Sequence, residues 1–89
     1  MLKITFHNSF KKDFKRIEKR KFDLQRLKET INIIAAEQEL PQRYKDHFLI
    51  GGEYAGCHEC HIASDWLLVY RIEGNRLILN RTGTHSDIF

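Results

Sequence analysis

The chain divides by the spacing of its apolar positions. In the first half they recur at helical intervals. Phe10, Phe14 and Ile17 fall at i, i+4 and i+7, and Leu24, Leu27, Ile31 and Ile34 follow at intervals of 3, 4 and 3. Asn8 or Ser9 can cap the first helix and Asp23 the second. Pro41, the only proline, requires the second helix to have ended before it. Ahead of both helices, residues 2–6 are β-prone and read as a short strand. Two adjacent amphipathic helices with a short joint make a helical hairpin.

Beyond residue 45 the pattern changes. Gly51, Gly52 and Gly56 punctuate a loop. Residues 57–62 form a candidate strand, Ser64-Asp65 a turn, and residues 66–72 a strand apolar on both faces, which must be covered on both sides. Glu73-Gly74-Asn75 supplies a tight hairpin turn, and residues 76–82 the next strand. The expected architecture is α+β: an N-terminal strand, a two-helix hairpin, then a three-stranded antiparallel meander, with the helices packed on one side of the sheet. Residues 1–89 make a single domain without repeats or linkers.

Composition agrees with a small core that holds without staples: 42% of the residues are apolar and ten are aromatic. No apolar run reaches the roughly 18 residues of a membrane span, and the first residues lack the apolar region of a secretory signal. A cytoplasmic protein with free Cys57 and Cys60 is expected. The net charge of +3 conceals an asymmetry, because residues 11–21 hold seven bases and two acids on a slightly acidic remainder. Lys12, Lys15, Arg16 and Lys19 lie largely off the apolar stripe of the first helix, so its outer face is expected to meet a polyanion, nucleic acid first.

The chemistry concentrates in the last third. His61 shares strand parity with Cys57 and Glu59; Arg81 shares it with Leu77, Leu79 and Gly83, and His85 continues it if the strand stays extended. The hairpin of residues 66–82 brings its flanks together, so His61 and Asp65 should converge with Arg81 and His85 at one sheet edge, with His47 nearby. Imidazoles exchange protons near neutrality, and a guanidinium matches the charge and geometry of phosphate. Such a set suits attack of an RNA 2′-hydroxyl on its neighbouring phosphate, and it requires no metal and no cofactor. C57-H-E-C60-H61 matches the minimal haem-attachment string, but haem attachment would need export and an axial partner, and the one methionine is Met1. A zinc site from Cys57, Cys60, His61 and His47 lacks a second closely spaced ligand pair.

Three blocks in order, Y44-K-D-H-F-L-I-G, E59-C-H-I-A-S-D-W-L-L-V-Y and R81-T-G-T-H-S-D-I-F, resemble the YafQ-like toxins of the RelE/ParE superfamily. The resemblance implies the RelE-like fold and a type II toxin: an mRNA interferase that cuts mRNA in the ribosomal A site and is held inactive by an antitoxin protein. Contact with DNA would come only through the antitoxin complex, and no membrane partner is implied. By position, His47, His61, Asp65, Arg81 and His85 match the family's functional residues. His85 is implied to be the general acid and Arg81 to stabilise the phosphorane; the base is one of His47, His61 and Asp65. Phe89 is implied to position a base or shape the site, and so is Trp66, which the strand pattern by itself reads as core. Related toxins often carry arginine where this chain has His58. Two other readings follow from the same chain: a ParE-like toxin that inhibits DNA gyrase by binding, and a non-catalytic RNA- or metal-binding module.

Overall fold

The computed structural model describes all of residues 1–89. Strand β1 (Lys3–Phe6) leads into helices α1 (Asn8–Lys19) and α2 (Leu24–Ala35), followed by a 3-10 turn at Gln42–Tyr44. Strands β2 (His47–Phe48), β3 (His58–Ala63), β4 (Trp66–Glu73) and β5 (Arg76–Gly83) complete the sheet, and a four-residue helix, α3 (His85–Ile88), ends the chain. The strand order is β1-β5-β4-β3-β2, with β1 parallel to β5 and every other pair antiparallel.

Asp23 caps α2 as the sequence predicts, its Oδ1 accepting from the Gln25 N–H at 3.1 Å. The cap of α1 is His7 instead of Asn8 or Ser9; its Nδ1 accepts from the Ser9 N–H at 3.2 Å. Phe10 and Ile17 of α1, with Leu27 and Ile34 of α2, pack onto one face of the sheet against Cys60, Trp66, Leu68, Tyr70, Leu77 and Leu79. Burying such aliphatic and aromatic side chains stabilises the domain by roughly 1.5–3 kcal/mol each. The opposite face carries a smaller cluster of Cys57, Leu67, Val69 and Ile88 with Tyr54 against it. Trp66 to Tyr70 are therefore all buried, which explains why β4 reads as apolar on both faces.

Besides the 3-10 turn, the structure adds two elements to the expected order. Strand β2 pairs His47 with Glu59 and Phe48 with His58, in a stretch whose glycine-rich continuation reads as loop. Helix α3 ends the extended path at Gly83, so His85 does not continue the strand alternation. Its signal is present in the sequence: Thr84 and Asp87 form a reciprocal capping box.

A bulge also revises the parity argument. Val69 faces Arg81 and Tyr70 faces Leu79, leaving Asn80 without a partner. One extra residue turns the strand over. Leu77 and Leu79 consequently point to the helices, while Arg81 shares the opposite face with Val69 and, across β3, with His61 and Glu59. Without the bulge Arg81 would face the helices.

Candidate active site

The face opposite the two long helices brings the histidines together. Asp65, in the β3–β4 turn, accepts from the His85 backbone N–H at 3.0 Å and from its ring Nδ1–H at 2.7 Å, both on Oδ1. The backbone bond first, and the ring second, hold the Asp65 carboxyl below the usual carboxylate range. With Nδ1 committed to Asp65, the Nε2 of His85 is the nitrogen left to exchange protons. The rings of His61 and His85 stand 5.9 Å apart, centre to centre.

His61 continues the chain of contacts inward. Glu59, 7% exposed, places Oε1 3.8 Å from His61 Nε2 and 3.5 Å from His47 Nε2. The strand pairing His47↔Glu59 brings His47 there, and its Nδ1–H donates to the Lys45 carbonyl at 3.0 Å. A buried carboxylate thus stands between two imidazoles. Glu59 opens the block E59-C-H-I-A-S-D-W but is not among the candidates read from the sequence; alternate strand positions put it on the His61 face, and its value as a shared partner depends on β2.

Arg81 is held by four hydrogen bonds to three groups. Its Nε donates to Asp13 Oδ2 at 2.6 Å, Nη2 to Asp13 Oδ1 and to the Asp87 carbonyl, each at 3.1 Å, and Nη1 to the Tyr54 hydroxyl at 2.6 Å. One of its five N–H groups, on Nη1, is left over. Asp13, 2% exposed, holds the guanidinium firmly in its charged form. The same carboxylate accepts from the Thr82 N–H, which lies beyond the end of β1 and so lacks a strand partner. It also accepts from Arg16 at 3.1 Å. An acid within the apolar stripe of α1 marks a buried charge in the sequence but does not name Arg81 as its partner.

The C-terminal turn is fastened to α1. Arg20 donates to both Asp87 oxygens, at 2.7 and 3.2 Å, and this pairing lowers the Asp87 pKa to about 2. Gly83 makes room for it: with φ at +148°, a Cβ there would lie 2.9 Å from Asp87 Oδ2. Phe89, 64% exposed, meets the Tyr54 ring edge-on at 5.9 Å, beside Arg81.

The other expected residues divide. Trp66 is corrected: it is buried, donates Nε1–H to Thr82 Oγ1 at 2.9 Å and is met edge-on by Phe22, so it offers no face to a base. Arg16 is engaged by Asp13, whereas Lys12, Lys15 and Lys19 are exposed and form no ion pair. Lys15 borders a separate groove of about 690 Å³ between α1 and α2. His58 faces the helix side, stacked on Tyr70 at 5.1 Å and away from the His61–His85 gap. Cys57 and Cys60 lie in different clusters on opposite faces, and burial pushes both thiols up, which leaves neither the haem string nor the four-ligand zinc set a common centre.

This arrangement has relatives. A model of the family described as "Bacterial toxin of type II toxin-antitoxin system, YafQ" matches residues 2–89. The chain belongs to the YafQ toxin family. It is 34% identical over 87 residues to the mRNA interferase toxin YafQ of Escherichia coli K12, an alignment covering 97% of this chain and 94% of that one. A metal-bound toxin from Helicobacter pylori shares 44% identity and superposes with a TM-score of 0.91, covering 100% of both chains. YafQ in the E. coli DinJ–YafQ complex gives 34% identity and a TM-score of 0.88 over 100% of this chain and 99% of that one. The RelE-like fold of these YafQ toxins is the fold found here.

Proposed function

We infer that this protein is the toxin of a type II toxin–antitoxin pair and an endoribonuclease that cuts mRNA. The observation that carries the chemistry is the 5.9 Å juxtaposition of the His61 and His85 rings, with Asp65 holding the latter. A phosphodiester between the rings would meet a base on one side and an acid on the other. His61 takes the 2′-hydroxyl proton, the 2′-oxygen attacks phosphorus, and the P–O5′ bond breaks as His85 delivers a proton to the departing oxygen. The products are a 2′,3′-cyclic phosphate and a 5′-hydroxyl. Asp65, held at low pKa by His85, is a poor proton acceptor and orients the acid instead. Its engagement favours His61, with His47 beside the same Glu59, as the base. Arg81 supplies fixed positive charge and one N–H for a non-bridging oxygen. Phe89 offers an exposed ring for stacking on a base, a contact worth about 1–3 kcal/mol.

The named activity of the E. coli relative and the family's type support this reading over gyrase inhibition, for which an acid–base pair has no use. The DinJ–YafQ complex of E. coli supports an antitoxin protein as partner. No helix is long and apolar enough to cross a membrane, in keeping with action on mRNA at the ribosome in the cytoplasm.

Added to a cell-free translation reaction, the purified protein should arrest synthesis and leave defined cuts within the message, mapped by primer extension. Inhibition of DNA supercoiling with intact mRNA would overturn the reading. Glu59→Gln keeps the side chain's shape and removes its charge. Cutting should fall on the order of tenfold, less than the ~10²–10⁴ expected of a group that itself moves a proton. The pH–rate profile should change shape in the variant; an unaltered profile would make Glu59 a packing residue only.

A further inference from the structure

Beside His61 lies a second, strongly basic cleft. It has a volume of about 320 Å³ and is lined by Arg26, Arg43, Lys45 and Ser64 together with His61 and its β3 neighbours Ile62 and Ala63. No acid lines it. The rest of the molecule treats its arginines differently. Arg16, Arg20, Arg71 and Arg81 are each paired with a carboxylate. Of the seven arginines in the chain, only Arg26, Arg43 and Arg76 are left without one, and two of these three share this cleft. Lys45 forms no ion pair either. Three cations gathered without an acid repel one another, and an anionic ligand would relieve that cost.

The two guanidinium groups are also held in place. Arg26 reaches from α2 to donate to the Ile62 carbonyl at 2.6 Å. The Arg43 guanidinium lies 5.0 Å over the centre of the buried Tyr44 ring. Lys45 follows in the left-handed region, at φ 49°, and its carbonyl is the one that holds His47. One 3-10 turn therefore sets both the wall of the cleft and the position of His47. His61 belongs to the cleft and to the reacting pair at once.

We propose that this cleft binds a backbone phosphate of the substrate RNA next to the scissile one, so that Arg26, Arg43 and Lys45 fix the register of the strand across His61 and His85. The proposal rests on the nuclease reading above. A strand whose scissile phosphate lies between the two rings must carry its neighbouring phosphate past one of them, and on the His61 side it enters this cleft. Guanidinium groups held in advance bind phosphate at little cost in side-chain freedom. Their distance from the bond that breaks makes them positioning residues for the strand.

The test uses Arg43→Gln combined with Lys45→Gln, because both side chains are exposed and neither forms an ion pair, whereas Arg26 anchors the Ile62 carbonyl. On programmed ribosomes the double variant should lower kcat/KM about tenfold. A synthetic message with one uncharged methylphosphonate beside the cut should slow the parent by a similar factor and leave the variant indifferent. A methylphosphonate that slows both proteins alike at every flanking position would assign the cations to ribosomal RNA and overturn the proposal. Parental cutting by the variant, or a loss confined to antitoxin affinity, would do so as well. A second arm reads binding alone: the salt dependence of anisotropy for a short single-stranded RNA, whose log–log slope should fall by about one in the variant. If the parent fails to cut but this slope still falls, the cleft stands and the chemistry falls; an unchanged slope sinks the cleft.

Discussion

His85→Ala is expected to lower mRNA cutting by about 10²–10⁴-fold while the protein stays folded. The ring is half-exposed and contributes no core packing; its one side-chain partner is Asp65. The features that build α3 do not involve it. Thr84 and Asp87 cap one another, Arg20 holds Asp87, and the backbone N–H of residue 85 still reaches Asp65 when the side chain is shortened. What disappears is the acid that protonates the departing 5′-oxygen. Cut rates by primer extension, beside a thermal melt, separate the two effects. Parental cutting with an unchanged melt would remove His85 from the reaction, and loss of both would mean that the residue is structural.

Asp13→Ala should have the largest effect on stability. Its carboxylate is nearly inaccessible and accepts from Arg81 twice, from Arg16 and from the Thr82 N–H. Removing one partner of a buried ion pair leaves the other charge uncompensated, at a cost of about 3–5 kcal/mol. For a domain of this size that lowers Tm by roughly 4–8 °C per kcal/mol, enough to unfold a marginal protein near physiological temperature. Activity should fall with it, because Arg81 loses the partner that aims it. Urea midpoints measure the first effect. A loss below about 1 kcal/mol would show that water reaches the pair and that it behaves as a surface bridge.

The contrast between these two residues mirrors what could be read from the chain. His85 and Asp65 were legible because a hairpin is a local object. Once residues 66–82 fold back on themselves, their flanks must meet, and the expected convergence is the observed 2.7 Å contact. Asp13 was not legible in this role. It lies 68 residues from Arg81, and only the path of α1 along β5 brings them together. Trp66 separates the strand pattern, which reads it as core, from the resemblance, which implies a place at the site. A tryptophan beside a motif can stack on a ligand or fill the core, and Phe22 and Thr82, distant in sequence, decide for the core.

By itself the sequence determined the α+β order, the Asp23 cap, the two-sided burial of β4 and the grouping of His61, Asp65 and His85. These follow from periodicity and turn chemistry within a few residues, where the backbone leaves few alternatives. Tertiary structure alone decided that β1 pairs in parallel with β5, that the bulge at Asn80 turns Arg81 to the histidine face, that Glu59 stands between two imidazoles, and that Arg26 joins Arg43 and Lys45 beside His61. The physical reason is common to all four. Register and ion pairing are properties of two segments at once, settled by which surfaces they bury together, and no local pattern in either segment encodes them.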